Sequence, residues 1–173
     1  MQRIQINKIV YSALFAALIF VGTQFIRVPL LFGYFNFGDC FVLLSALIIG
    51  GSYAVVASAI GSGLADILSG YTLYAPATLI IKALMVIVVI AVSTLGKDRS
   101  KSLKKVFLVI GVFFAEILMV SGYFIYDIIL YQLAGATAAL FGNVIQGIVA
   151  SVTSIFFITV LEHTGLIKHI KSL

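Results

Sequence analysis

Six long apolar segments, at about residues 8–26, 37–50, 52–69, 76–95, 106–133 and 138–165, are strung along this chain between short polar breaks. A helix crossing a bilayer needs roughly 20 apolar residues, so the spacing predicts six helices and leaves no length for a soluble domain. Composition agrees. Of 173 residues, 62% are hydrophobic and 10% charged, with mean hydropathy +1.22, whereas a soluble domain is about half apolar and a quarter charged. So few charges cannot cover so much apolar surface in water, and the solvent is therefore a bilayer. The second segment is short: about 14 residues rising 1.5 Å each reach only ~21 Å across a ~30 Å core. It is expected to be tilted, re-entrant or longer at its N-terminal side. The expected fold class is an all-α polytopic membrane protein, a six-transmembrane-helix bundle forming one domain over residues 1–173.

Several function classes drop out. No G-x-x-x-x-G-K-[ST] loop is present to cradle phosphates, so ATP-driven work requires a partner. One cysteine, Cys40, and two histidines, His163 and His169, supply no cluster for zinc or iron–sulfur ligation. Neither a metal nor a cofactor is expected. An intramembrane enzyme would need a nucleophile–base pair or a metal site at a plausible depth, and neither is visible. The first 26 residues resemble a signal peptide, but the apolar run is too long for an h-region and no A-x-A site closes it. That stretch is expected to be a retained first helix.

Lysine and arginine set the orientation, because loops on the cytoplasmic side carry them in excess. With the N-terminus inside and six spans, Arg3, Lys8, Lys97, Arg99, Lys101, Lys104, Lys105, Lys168 and Lys171 all fall inside, out of 11 basic residues. Arg27 lies in an outer loop and Lys82 within a helix. Both termini are thus expected in the cytoplasm of a bacterial cell. The net charge of +5 then reflects topology and attraction to anionic lipid headgroups, and no nucleic-acid partner is expected.

Ionisable groups inside a bilayer are costly, and they face a bundle interior, a cavity or one another. Here they are Asp66, Lys82, Glu116 and Asp127, with Asp39 at the start of the second segment. Counted from the segment ends, Asp66, Lys82, Asp127, Asn143 and Gln146 fall within roughly 6–12 Å of the outer surface. They also form stripes at helical spacing: Ser58, Ser62, Asp66 and Ser69; Glu116, Tyr123, Asp127 and Tyr131; Thr78, Lys82 and Met85; Asn143 and Gln146. A cavity open to the outside follows, with apolar walls, tyrosines and a few amide and charged groups suited to a small, partly aromatic, polar molecule. The candidate binding residues are Asp39, Asp66, Thr78, Lys82, Tyr123, Asp127, Asn143 and Gln146. Other roles stay open: an Asp66–Lys82 structural ion pair, interhelical bonds from Asn143 and Gln146, a structural Glu116, and an interfacial belt containing Tyr34, Tyr71 and Tyr74.

Small residues form a second pattern. Ala13 and Ala17, with Ala16 beside them, and Ala57, Gly61 and Ala65 on the third segment make small-xxx-small strips that let another helix approach closely.

Taken together, Ala13-Leu-Phe-Ala-Ala17, Asn36-Phe-Gly-Asp39, Gly61-Ser-Gly-Leu-Ala-Asp66-Ile-Leu-Ser-Gly70-Tyr71, Ala75-Pro-Ala-Thr78-Leu-Ile-Ile-Lys82 and Gly142-Asn-Val-Ile-Gln146 resemble the substrate-binding S components of energy-coupling factor (ECF) vitamin transporters. The resemblance spans the chain and is nearest to the branch serving riboflavin-like, pyridoxine, hydroxymethylpyrimidine and pantothenate uptake. It implies a subunit that binds a vitamin from outside and is toppled by a membrane T component with two ABC ATPases. On that resemblance Ala13, Ala16 and Ala17 would face the T component, and the loop Arg27 to Phe37 would help close the site. The chain has no tryptophan, so ring stacking would fall to Tyr or Phe. Amide, carboxylate and hydroxyl groups suit the ring nitrogens and hydroxymethyls of a pyridine or pyrimidine vitamin. Pantothenate stays open through Lys82, and riboflavin would need a larger cavity. The competing class is a stand-alone secondary transporter or channel with Asp66, Glu116 and Asp127 as a proton relay.

Overall fold

In lipid no water satisfies a bare N–H or C=O, so each apolar segment must close its hydrogen bonds internally as helix. The computed structural model describes residues 2–29, 34–165 and 167. Among them run α1 (Gln2–Gln24), β1 (Arg27–Pro29), β2 (Tyr34–Asn36), α2 (Gly38–Ile48), α3 (Gly51–Leu68), α4 (Ala75–Leu95) and α5 (Lys101–His163). Four helices are long and apolar enough to cross a membrane: α1 (over Gln5–Gln24), α3, α4 and α5. Large apolar side chains such as Ile80, Phe113, Phe141 and Phe156 point outward, as a lipid-facing surface requires.

The last helix is not one rod. On a continuous helix Glu116 and Gly147 would stand about 46 Å apart, yet a Cβ at Gly147 would lie 3.2 Å from Glu116 Oε2. The chain therefore doubles back, and it does so at Gln132, whose φ of 61° and ψ of −175° are not helical. The sequence placed this break at Ala134–Thr137; those residues are helical. Ala134, Ala136 and Thr137 extend the second arm because nothing in them forbids helix, and the reversal falls on a residue with no turn signature. That backbone region is one that glycine alone occupies without strain, at a cost of about 1–3 kcal/mol for other residues. Gln132→Gly should accordingly raise the melting temperature of the purified protein, the reverse of glycine's usual effect in a helix. A lower melting temperature would contradict the strain.

α2 is shorter than expected, 11 residues or about 16 Å, and it is not extended at its N-terminal side. Most of it is buried, packed against α1, α3, α4 and α5. Its Val42 and Leu43 meet Ile19, Met85, Val86, Val89, Val112 and Met119 in the main core. A short antiparallel ribbon interrupts the otherwise helical chain just before it, pairing Arg27 with Asn36, Val28 with Phe35 and Pro29 with Tyr34. Val28 and Phe35 are residues that favour extended backbone. Gly38 begins α2 so close to α1 that a Cβ there would fall 1.9 Å from Thr23 Oγ1.

The strip on α3 is internal packing. Ala57, Gly61 and Ala65 are buried, and a Cβ on Gly61 would approach the Ala16 carbonyl oxygen to 2.6 Å. Ala13 and Ala17 lie on an exposed face of α1, with Ala16 half-buried between them. At one end of the bundle Gly50, Lys97, Lys104 and Glu162 come together; Lys168, His169 and Lys171 lie outside the described residues, and the side chain of Arg3 is not described either. The polar residues gather at the opposite end.

Candidate functional site

That opposite end is where α1 and α3 finish, α4 starts and α5 turns, so short-range geometry brings five elements to one place. A cavity of about 50 Å³ opens there. α1 gives Thr23, β2 gives Asn36 and α3 gives Ser62 and Asp66; Tyr71 and Tyr74 come from the α3–α4 loop. α4 adds Thr78 and Lys82, and the two arms of α5 add Tyr123, Asp127, Ala139, Asn143 and Gln146. Of the expected binding residues, Asp66, Thr78, Lys82, Tyr123, Asp127, Asn143 and Gln146 thus line one cavity. Asp39 lies just beneath it.

Lys82 forms an ion pair with Asp39, Nζ to Oδ1 2.5 Å, both side chains almost wholly buried. The sequence had raised Asp66 as its partner instead. The ammonium also stands 5.1 Å from the Tyr123 ring centroid. Gln146 then ties the layer together: its Nε2 donates to Asp39 Oδ2 at 2.7 Å, and its Oε1 accepts from the backbone N–H of Asn36 at 2.9 Å and from Asn36 Nδ2 at 3.1 Å. Asn36 Oδ1 in turn accepts from the Gly38 N–H at 2.9 Å. The ribbon is thereby pinned over the start of α2, and Gln146 is both a cavity wall and a clamp. Asn143, one turn earlier, is half-buried and lines the cavity with its amide unengaged by any described residue.

Tyr74 is the residue that sequence reasoning placed elsewhere. Expected in an interfacial belt, it points into the bundle, where its hydroxyl donates to Asp127 Oδ1 at 2.5 Å. Its ring lies 5.6 to 6.4 Å, centroid to centroid, from those of Tyr71, Tyr123, Tyr126 and Tyr131. Burial, and then the bond to Asp127, push its phenol well above the ordinary value, so it remains a neutral donor. Tyr71 is held by its own N–H, which donates to the Asp66 carbonyl at 2.8 Å. The Thr78 and Tyr123 hydroxyls share a bond of 3.0 Å. Tyr74 carries no sequence signal beyond its place just before α4, because its neighbours come from α5, some 50 residues on. The side chain of Tyr34 is not described.

Ser62 Oγ is buried with no hydrogen-bond partner among the described residues. Glu116 is buried too, outside the cavity lining and against Gly147, and neither carboxyl oxygen has a hydrogen-bond partner among the described residues. Among those residues no group of three or more His, Cys, Asp or Glu could hold a metal ion.

Two comparisons place the chain as a whole. The family model described as "ECF-type riboflavin transporter, S component" matches residues 3–171. A protein of Pyrococcus woesei, described as "Uncharacterized protein in gap 3'region", is 31% identical over 132 residues, covering 74% of this chain and 83% of its own length.

Proposed function

We propose, since this chain belongs to the S-component family of ECF-type riboflavin transporters, that it captures a small water-soluble vitamin from outside the cell and hands it inward with a T component and two ABC ATPases. S components are membrane transporter subunits and not enzymes. The observation that carries the reading is the cavity at one end of an apolar bundle, walled by charged, amide and hydroxyl groups from every long helix. Such groups are too costly in a bilayer to be retained without a use.

The proposed topology has six spans, counting α2 and both arms of α5, with the termini and the basic α4–α5 loop inside and the cavity outside. A cysteine at Ser100, in a Cys40→Ser background, should react with impermeant reagents from the cytoplasmic side only. Labelling from outside would invert the cavity's direction.

Two observations bear on the ligand. Binding pockets for drug-sized ligands run to roughly 300–1,000 Å³, so a cavity of about 50 Å³ must widen for any vitamin, and least for one of pyridoxine or hydroxymethylpyrimidine size. The family's description supports the second reading, riboflavin, which requires the tyrosine cluster to part. Pantothenate loses support, because Lys82 is already matched by Asp39. Native mass spectrometry of detergent-purified protein tests the reading directly, with a bound vitamin expected. Asn143→Ala should weaken that ligand about tenfold, the size of one lost polar contact, and an unchanged titration would remove Asn143 from the site.

A further inference from the structure

A second cavity lies at the end of the bundle away from the polar site. It holds about 380 Å³, and vitamin capture gives it no task. α2 covers only about 16 Å of a ~30 Å membrane core, and its last residues, Ala46 to Ile48, form one wall together with Ile49 and Gly50. The room opens where that short helix gives out, between the end of α4 and the two ends of α5. Its lining is divided by depth. Ile90 sits five residues before the end of α4, Leu108 seven past the start of α5 and Ile158 five before its end, so the apolar floor lies roughly 7–11 Å beneath the helix ends. Lys97, just past α4, and Lys104, near the start of α5, stand at the rim.

Both lysines are exposed, and neither has an ion-pair partner among the described residues. Glu162 belongs to the same lining without pairing to either. Ser93 Oγ, in the same wall, is buried with no hydrogen-bond partner among those residues. Cations over an apolar floor fit an amphiphile: an apolar cavity stays dry, a soluble anion would leave the floor uncovered, and lysines at a membrane surface draw anionic headgroups. We infer that this pocket binds one anionic phospholipid, its phosphate between Lys97 and Lys104, Ser93 as a hydroxyl donor below, and the start of an acyl chain on Leu47, Ile90, Leu108 and Ile158. The lipid fills the space that the short α2 leaves, and Glu162 tempers its affinity. On the proposed topology the pocket opens to the cytoplasmic leaflet, whose surface is negative. The inference does not depend on vitamin capture.

Native mass spectrometry of the full chain in detergent, titrated with dioleoyl phosphatidylglycerol or, separately, dioleoyl phosphatidylcholine, tests it. One phosphatidylglycerol should be held about tenfold or more tighter than phosphatidylcholine, the scale of one or two lysine contacts. Lys97→Gln/Lys104→Gln should abolish that preference. Lys101→Gln/Lys105→Gln, which removes the same charge outside the lining, should leave it intact, and Glu162→Gln should strengthen it. Glycerol 3-phosphate, a head without chains, should not displace the lipid. Equal retention of the two lipids, equal loss in both double variants, weaker binding in Glu162→Gln, or displacement by glycerol 3-phosphate would overturn the inference. So would a parent protein that retains no phosphatidylglycerol, since its pocket then belongs to another occupant such as a partner helix.

Discussion

Ala17→Trp, or Ala13→Arg, should abolish ATP-driven uptake in cells carrying the proposed T component and its ATPases, while the isolated protein should keep its affinity for ligand. The expectation comes from how α1 divides its faces. Ala16 sits against α3, where Gly61 has no room even for a Cβ, and Ile19 is fully buried. Ala13 and Ala17, one turn apart, are exposed and form a flat strip on which a foreign helix could rest. In a membrane such association depends on close dispersion contact, and a bulky side chain on the strip holds the partner off by several ångströms, forfeiting those contacts. Neither alanine lines the cavity, so binding and transport come apart. Loss of both together, or full transport in vesicles lacking any partner, would make the strip plain packing and would favour the secondary-transporter reading.

Lys82→Met should be the most destabilising single change in the binding layer. Removing one member of a buried ion pair leaves the other charge uncompensated, at a cost of about 3–5 kcal/mol, and Asp39 is 1% exposed at the centre of the bundle. The double variant Lys82→Met/Asp39→Asn should recover much of that loss, since an amide at position 39 can still accept from Gln146 and no bare charge remains. Thermal unfolding followed by circular dichroism in detergent distinguishes the cases. If the single variant melted with the parent, the pair would be dispensable. If the double variant melted below the single, the charge account would fail.

Hydropathy and helical spacing determined much of this protein. Long apolar runs force membrane helices because lipid offers the backbone no other partner. The cost of burying charge then assigns Asp66, Lys82 and Asp127 to an interior, and counting 1.5 Å per residue puts them at one depth. The membership of Asp66, Lys82, Asp127, Asn143 and Gln146 in a single cavity was legible on that basis, and the helical stripes added Thr78 and Tyr123, whereas Asp39, expected there too, is not in the lining. Three features were decided by tertiary contact. The turn fell on Gln132, a residue with no turn signature, because packing of the two α5 arms overrides local preference. Lys82 faced Asp39, 43 positions away, which no helical period relates to it. Tyr74 left the interface because its neighbours converge from another helix. Periodicity reports which face of a helix turns inward, and only the packed bundle decides which inward-facing groups meet.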